Sequence, residues 1–267
     1  MMQFLNAVLV MLLLLGSAAI GLFVRPLLSE RHRSQETLDL VRLVTTMLVT
    51  FAALVLGLLT NSVKSARDQV NADLRGFGVM IIELDQTLRE FGDVADPIRV
   101  NLRSYTAAAI ASTWTNEPPP PGDYYPHDIS KMDVDRRIES SLLGDMLNGI
   151  EMSIRRLQPA DTLHDRLAED ALRDFQDLTQ RRWKLIEEAS SSISVPFYLV
   201  LVFWLAVVFA SFGLCAPRNM LVWVMLGLGA MSIASAILVI TIYDTPFGDW
   251  FAAPSEPLRA ALRHLAL

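Results

Sequence analysis

Four apolar stretches, at approximately 4–24, 38–60, 197–215 and 220–242, set the first constraint on this chain. Each is long enough to cross about 30 Å of hydrocarbon as a helix rising about 1.5 Å per residue. Backbone at that depth must satisfy its own hydrogen bonds, and a helix does so segment by segment. The charges fall elsewhere: residues 61–195 hold 16 of the 23 Lys/Arg and 23 of the 29 Asp/Glu. The chain therefore reads as a water-soluble acidic block between two membrane-embedded ends. An ordinary soluble enzyme is excluded at once. A nucleic-acid binder is excluded too, because a net charge of -6, concentrated in the soluble block, repels phosphates. The single cysteine, Cys215, lies in an apolar run and cannot build a disulfide framework or a cysteine-based zinc site.

The first stretch is expected to be retained as a helix. Gly16-Ser17-Ala18-Ala19 offers small residues for cleavage, but MMQFLN has no basic segment and the apolar run is too long for a secretory leader. Four crossings put both termini and the central block on one side. Near the helix ends that side carries Lys64, Arg67, Arg75, Arg181, Arg182, Lys184, Arg259 and Arg263, against Arg25, Arg31, Arg33 and Arg218 on the other. Positive charge gathers on the cytoplasmic side, so the central block is expected in the cytoplasm of a cell under its inner membrane.

The soluble block reads as helical. Apolar residues at 63, 66, 70, 74, 77, 81, 84, 88 and 91 keep a three-four rhythm, with no proline or turn between them and the second membrane helix. One rod is expected from about 38 to 91, stopping near Gly92, with Asp96-Pro97 opening a helix over 97–114. Pro118-Pro119-Pro120-Pro121-Gly122 follows as a stiff linker. Val134, Ile138, Leu142, Met146, Ile150, Ile154 and Leu157 predict another amphipathic helix, ended by Gln158-Pro159. The last soluble helix starts near Asp161 and runs towards Pro196, its acidic row of Asp165, Glu169, Asp170, Asp174 and Asp177 forming the wet face. The expected fold is all-α: membrane helices 1 and 2 over 1–60, a helical cytoplasmic domain over 61–195, membrane helices 3 and 4 over 196–243, and a tail over 244–267.

Three segments carry a family pattern. They are NSVKSARDQVNADLRGFGVMIIELDQTLREFGDVADPIRVNLRSYTAAAIASTW, RRWKLIEEASSSISVPFYLVLVFWLAVVFASFGL and YDTPFGDWFAAPSEPLRAAL, together spanning most of 38–262. They resemble the bestrophin-like domain family of four-helix membrane proteins. Asp244, Pro246 and Phe247 after an apolar helix are the most specific part. The chain departs from the family in reading Gly248-Asp249 where Ser-Gly is usual, and Pro254-Ser255-Glu256-Pro257 where the family has a Ser-Pro-x-Pro-like stretch. The family's name points to bestrophins, so the resemblance implies an oligomeric anion channel with a helical cytosolic domain.

Motifs for catalysis are absent: there is no Walker A loop, HExxH or GxSxG, and the expectation is no enzyme, no cofactor and no metal. His32, His127, His164 and His264 stand singly, and the carboxylates Asp128, Asp133 and Asp135 lack the glycine and terminal glutamate of a calcium loop. The informative feature is a stripe on the second membrane helix. Arg42, Thr46, Thr50, Ala53, Gly57 and Thr60 are spaced 4, 4, 3, 4 and 3 apart and share one face. Such a stripe either packs closely on another helix or lines a wet path when several copies surround an axis. Small residues Ser17 and Gly21, and Ala230 and Ala234, suit helix contacts, while Trp250 beside Phe247 and Phe251 suits an interfacial anchor. The expected partners are the lipid bilayer, further copies of the chain and an inorganic ion, with no nucleic acid. Two other readings stand beside the channel. One is a non-conducting scaffold, and the other a stator-like proton-channel subunit, which has to do without a carboxylate in 43–60 or 197–242.

Overall fold

A computed structural model describes residues 2–27, 34–127, 141–190, 195–217, 219–245, 247 and 252–267. Among them there is no strand. Eight α-helices follow in order: α1 Met2–Val24, α2 Gln35–Phe91, α3 Asp96–Thr113, α4 Ser141–Arg155, α5 Thr162–Ser190, α6 Val195–Cys215, α7 Met220–Tyr243 and α8 Glu256–His264. Four of them, α1, α2, α6 and α7, are long and apolar enough to cross a membrane. The expected continuous rod is present as α2. Its end is set by Gly92, whose φ of 99° only glycine adopts without strain, and Pro97 then sits in the first turn of α3.

The chain divides into two compact units, Met1–Ala66 with Ser192–Thr245, and Arg67–Ser191 with Pro246–Leu267. In the first unit α1 buries Ala7, Val10, Leu14, Ala18, Gly21 and Leu22, a face repeating every three or four residues, against α6 and α7. Hydrocarbon gives helices no hydrophobic reason to associate, so close backbone approach must supply the attraction. It does so at two glycines. A Cβ on Gly21 would lie 2.0 Å from the Ala210 carbonyl oxygen, and one on Gly213 would lie 2.0 Å from that of Ala18. Of the expected small residues, Gly21 makes this crossing and Ala230 and Ala234 are buried, whereas Ser17 is half-buried and turns its hydroxyl back to the Leu13 carbonyl. Asn219 caps α7, its Oδ1 accepting from the Val222 N–H at 2.9 Å.

The second unit is a helical bundle. Leu74, Ile81, Leu84 and Leu88 of α2 meet Leu102 and Ile110 of α3, Leu147 and Ile150 of α4 and Phe175 and Leu178 of α5 in one core. Each such side chain contributes about 1.5–3 kcal/mol when fully buried. Asp161 caps α5, accepting from the N–H groups of Leu163 and His164 at 2.9 Å each. The residue pattern extended the helix containing α4 back to Val134, and residues 128–140, with the three carboxylates Asp128, Asp133 and Asp135, lie outside the described residues. The polyproline segment is more than a spacer. Pro120 is buried, its carbonyl accepts from the Tyr125 hydroxyl at 2.7 Å, and the Pro118 carbonyl accepts from Arg259 at 2.8 Å. The tail also folds back, with α8 lying so close to α2 that a Cβ on Gly78 would stand 2.9 Å from the Pro257 oxygen.

The glycine crossing makes a direct prediction. Gly213→Leu, whose Cβ cannot fit against the Ala18 backbone, should lower the melting temperature of the detergent-solubilised chain by several degrees. Gly16→Leu, at a position with nothing within 4 Å of the added Cβ, should leave it unchanged. Equal melting curves for the two variants would refute the crossing as the source of cohesion.

Candidate functional site

The membrane half of α2 divides into three sectors at about 100° per residue. One sector, with Thr45, Ala52 and Val63 buried and Leu56 and Leu59 half-buried, faces its own chain. A second, with Leu43, Met47, Phe51, Leu54 and Leu58, is bulky, apolar and exposed. The third is the stripe. Arg42, Thr46, Thr50, Ala53, Gly57 and Thr60 are all exposed, about 100° round from the packed sector, and a Cβ on Gly57 would meet nothing within 4 Å. Among the described residues no helix of the same chain buries any of these six side chains, although α6 stands across a cleft from Arg42, Thr46 and Thr50.

Its hydroxyls are internally spent. Thr46 donates to the Arg42 carbonyl at 2.9 Å, Thr50 to that of Thr46 at 2.9 Å and Thr60 to that of Leu56 at 2.8 Å. The stripe therefore offers oxygen lone pairs rather than hydroxyl hydrogens. Arg42 is paired: its Nη1 donates to Asp39 Oδ1 at 3.1 Å, with both side chains 57% exposed. Asp39, three residues earlier and on the same face, is a member of the stripe that residue spacing from Arg42 onwards missed. An acid-base pair at i, i+3 was the available signal. Beside the stripe, Arg42, Thr45, Thr46, Val49 and Thr50 face Ser211, Phe212 and Cys215 of α6 across a cleft of about 270 Å³.

Two residues of the Asp-x-Pro-Phe element, Asp244 and Phe247, are among the described residues. Asp244 closes α7, its N–H reaching the Ile240 carbonyl at 3.0 Å. Phe247 packs edge-to-face on Trp114 at 5.8 Å between centroids, which places it in the core of the second unit rather than at a membrane interface. Pro246, Trp250 and Phe251 lie outside the described residues. Trp114 in turn donates from Nε1 to the Ala253 carbonyl at 2.6 Å. The Pro254-Ser255-Glu256-Pro257 stretch works through its serine: the Ser255 hydroxyl donates to Glu117, and Arg259 donates to Glu117 at 3.1 Å and to the Ser255 oxygen at 2.8 Å. Glu117 ends the helix-to-linker turn, so this clamp fastens the tail to the start of the polyproline segment.

Residues 12–258 match the Bestrophin-like domain, which is most of the chain. The protein belongs to the bestrophin-like family. Solved structures of a bacterial bestrophin homolog from Klebsiella pneumoniae share its fold. One point variant has a TM-score of 0.68 at 15% identity, covering 98% of this chain and 100% of that one. A structure of the homolog phased on zinc gives 0.65 at 15% identity, covering 97% and 96%. Another solved structure, of a membrane protein variant, gives 0.63 at 14%, covering 97% of each. No curated protein matches the sequence.

In this bestrophin-like chain the second unit carries two buried carboxylates on α2 that periodicity alone did not mark as special. Asp85, fully buried, accepts from Arg99 Nε at 2.9 Å and from Arg89 at 3.3 Å, tying α2 to α3. Asp73, also buried, is held by Arg181, by Lys184 at 3.0 Å and by Gln69 at 3.0 Å, tying α2 to α5. Burial alone pushes the Asp73 carboxyl up, but contacts from Lys184, Glu188, Gln69 and Arg181 outweigh it and hold the group well below the ordinary range. Burial, followed by the neighbouring Asp73, pushes Glu188 up. Tyr105, buried beside Arg182, is pushed up to about 12 by burial, which Arg182 only partly opposes. Among the described residues no three His, Cys, Asp or Glu side chains gather as metal ligands.

These shifts have opposite signs in a stability profile. Asp73 is lowered on folding, so its contribution is complete above the ordinary carboxylate pKa of about 3.9 and is lost as pH falls below it. Glu188 is raised, so its contribution is present at low pH and is lost as pH rises through its elevated value. Melting curves across pH should show Asp73→Asn flattening the acid limb and Glu188→Gln flattening the limb above the ordinary glutamate range. An acid limb unaltered by Asp73→Asn would contradict the assignment.

Proposed function

We propose that this bestrophin-like protein assembles as a homo-oligomer around α2 and conducts small inorganic ions along the stripe. One observation carries the reading: a row of small and polar side chains lies on a membrane-helix face that the described part of its own chain leaves exposed. A helix facing lipid alone gains nothing from Arg42, Asp39 and three threonines, since charges at membrane depth are costly and normally face a wet path or a partner. The bulky apolar sector beside it is suited to lipid or a neighbouring copy, which leaves the stripe for the axis. Membership of the family and the fold shared with bacterial bestrophin homologs favour a channel over a scaffold. The soluble unit is assigned to the cytoplasm on the balance of Lys and Arg near the helix ends.

Selectivity then depends on Arg42 together with Asp39. A ring of Arg42 side chains favours anions, and the Asp39 ring one turn away offsets it. At about 4 Å in water a unit charge shifts an ion's energy by about 1 kcal/mol, or roughly fivefold. Purified protein in planar bilayers should carry current, with Asp39→Asn raising the anion-to-cation permeability ratio by at least that factor and Arg42→Glu, which changes the charge by two units, lowering it by more. Silence of the wild-type protein at all voltages, together with a monomeric mass in detergent, would overturn the proposal.

A further inference from the structure

The helix α2 runs unbroken from Gln35 to Phe91, so the face that carries the stripe comes round again beyond Thr60. Lys64 follows Thr60 by one turn and Thr46 by about five whole turns, which gives it the azimuth of Thr46. It lies within the first unit, which reaches Ala66. Lys64 is exposed, and among the described residues it enters no ion pair or hydrogen bond.

The two ends of the face then differ in charge. At one end Asp39 takes Arg42 at 3.1 Å, so at a distance the fields of the two groups largely cancel. At the other, Asp68 follows Lys64 at i+4, the order in which a helix pairs opposite charges less well. Among the described residues these two form no ion pair, and Lys64 stands nearer the middle of the stripe than Asp68 does. From Arg42 to Lys64 the helix rises about 33 Å, close to the thickness of hydrocarbon, and Thr46, Thr50, Ala53, Gly57 and Thr60 between them carry no charge. A lysine at a membrane edge can also serve as a snorkelling anchor. That use suits the bulky apolar sector of Leu54 and Leu58, about 100° round the helix, better than the stripe.

We propose that Lys64 sets the sign of the ion path: its ammonium groups, one from each copy, gather inorganic anions at the end of the stripe towards Ala66. The inference rests on the reading of α2 as the lining of a shared axis, and it assigns selectivity chiefly to Lys64 rather than to the neutralised Arg42. With a net charge at one mouth only, the path passes anions more readily from that end than from the other. Low-dielectric walls focus such a field along the path.

Recordings of the full-length protein in planar bilayers test this. Lys64→Gln should lower the anion-to-cation permeability ratio by at least about fivefold and straighten the current–voltage curve, while Lys64→Arg should match the wild type. The difference should shrink between about 0.1 M and about 1 M salt, as the Debye length falls from about 10 Å to about 3 Å. A thiol introduced by Lys64→Cys, in a Cys215→Ser background, allows charge to be added after the protein has folded and assembled. A cationic methanethiosulfonate should restore the wild-type ratio, and an anionic one should push it below that of the unmodified variant. If the wild type conducts but neither reagent moves the ratio, with attachment confirmed by mass, Lys64 lies off the path and this inference alone falls. A Lys64→Gln ratio equal to that of the wild type has the same effect. Silence of the wild type overturns the channel reading and this inference together.

Discussion

Two backbone carbonyls, those of Ala18 and Ala210, press on two glycines, and the arrangement of the membrane unit depends on that contact. In hydrocarbon, Leu against Leu is no better than Leu against lipid, so cohesion comes from the places where backbones can approach. Gly21 and Gly213 provide such a place between α1 and α6, and the buried Ala230 and Ala234 give α7 a small-residue face. In the membrane half of α2 a Cβ on Gly57 would meet nothing within 4 Å, and Ala53 and Gly57 face outwards while Ala52 is buried against its own chain. The helix with the fewest ties to its own chain is thus the one that carries the polar face.

The second unit is held by a different logic. Its apolar core fills in the ordinary way, and two carboxylates of α2 are then taken out of water and returned to partners on α3 and α5. Buried charge pairs add less to stability than their geometry implies, because both groups lose hydration, but removing one partner is costly. Asp85 with Arg99, and Asp73 with Arg181 and Lys184, therefore act chiefly to fix which face of α2 meets which helix. The Ser255, Glu117 and Arg259 clamp does the same for the tail.

Much of this fold was legible in the sequence. The apolar stretches fell within a few residues of α1, α2, α6 and α7. The unbroken periodicity from Val63 predicted the length of α2, and Gly92 and Pro97 marked its end, because hydropathy and backbone restrictions are local properties. The stripe was legible for the same reason. The contacts of Asp73 with Arg181, Glu117 with Ser255 and Trp114 with Phe247 were not, since each joins residues more than 100 positions apart and nothing local distinguishes them from solvated or generic core side chains. Gly213 was hidden in an apolar run, its importance arising only from the helix it meets. Asp39 is the exception, a local partner of Arg42 overlooked because the stripe was counted from the arginine onwards.

The back-bonded threonines have a consequence for how the exposed face of α2 can change. Each hydroxyl is already committed to its own helix, so none is needed to hold a neighbour in place. Valine has nearly the same outline as threonine. The water affinity of this face can therefore be raised or lowered one residue at a time while its contour stays the same, so that in this helix wetness and shape are separable properties.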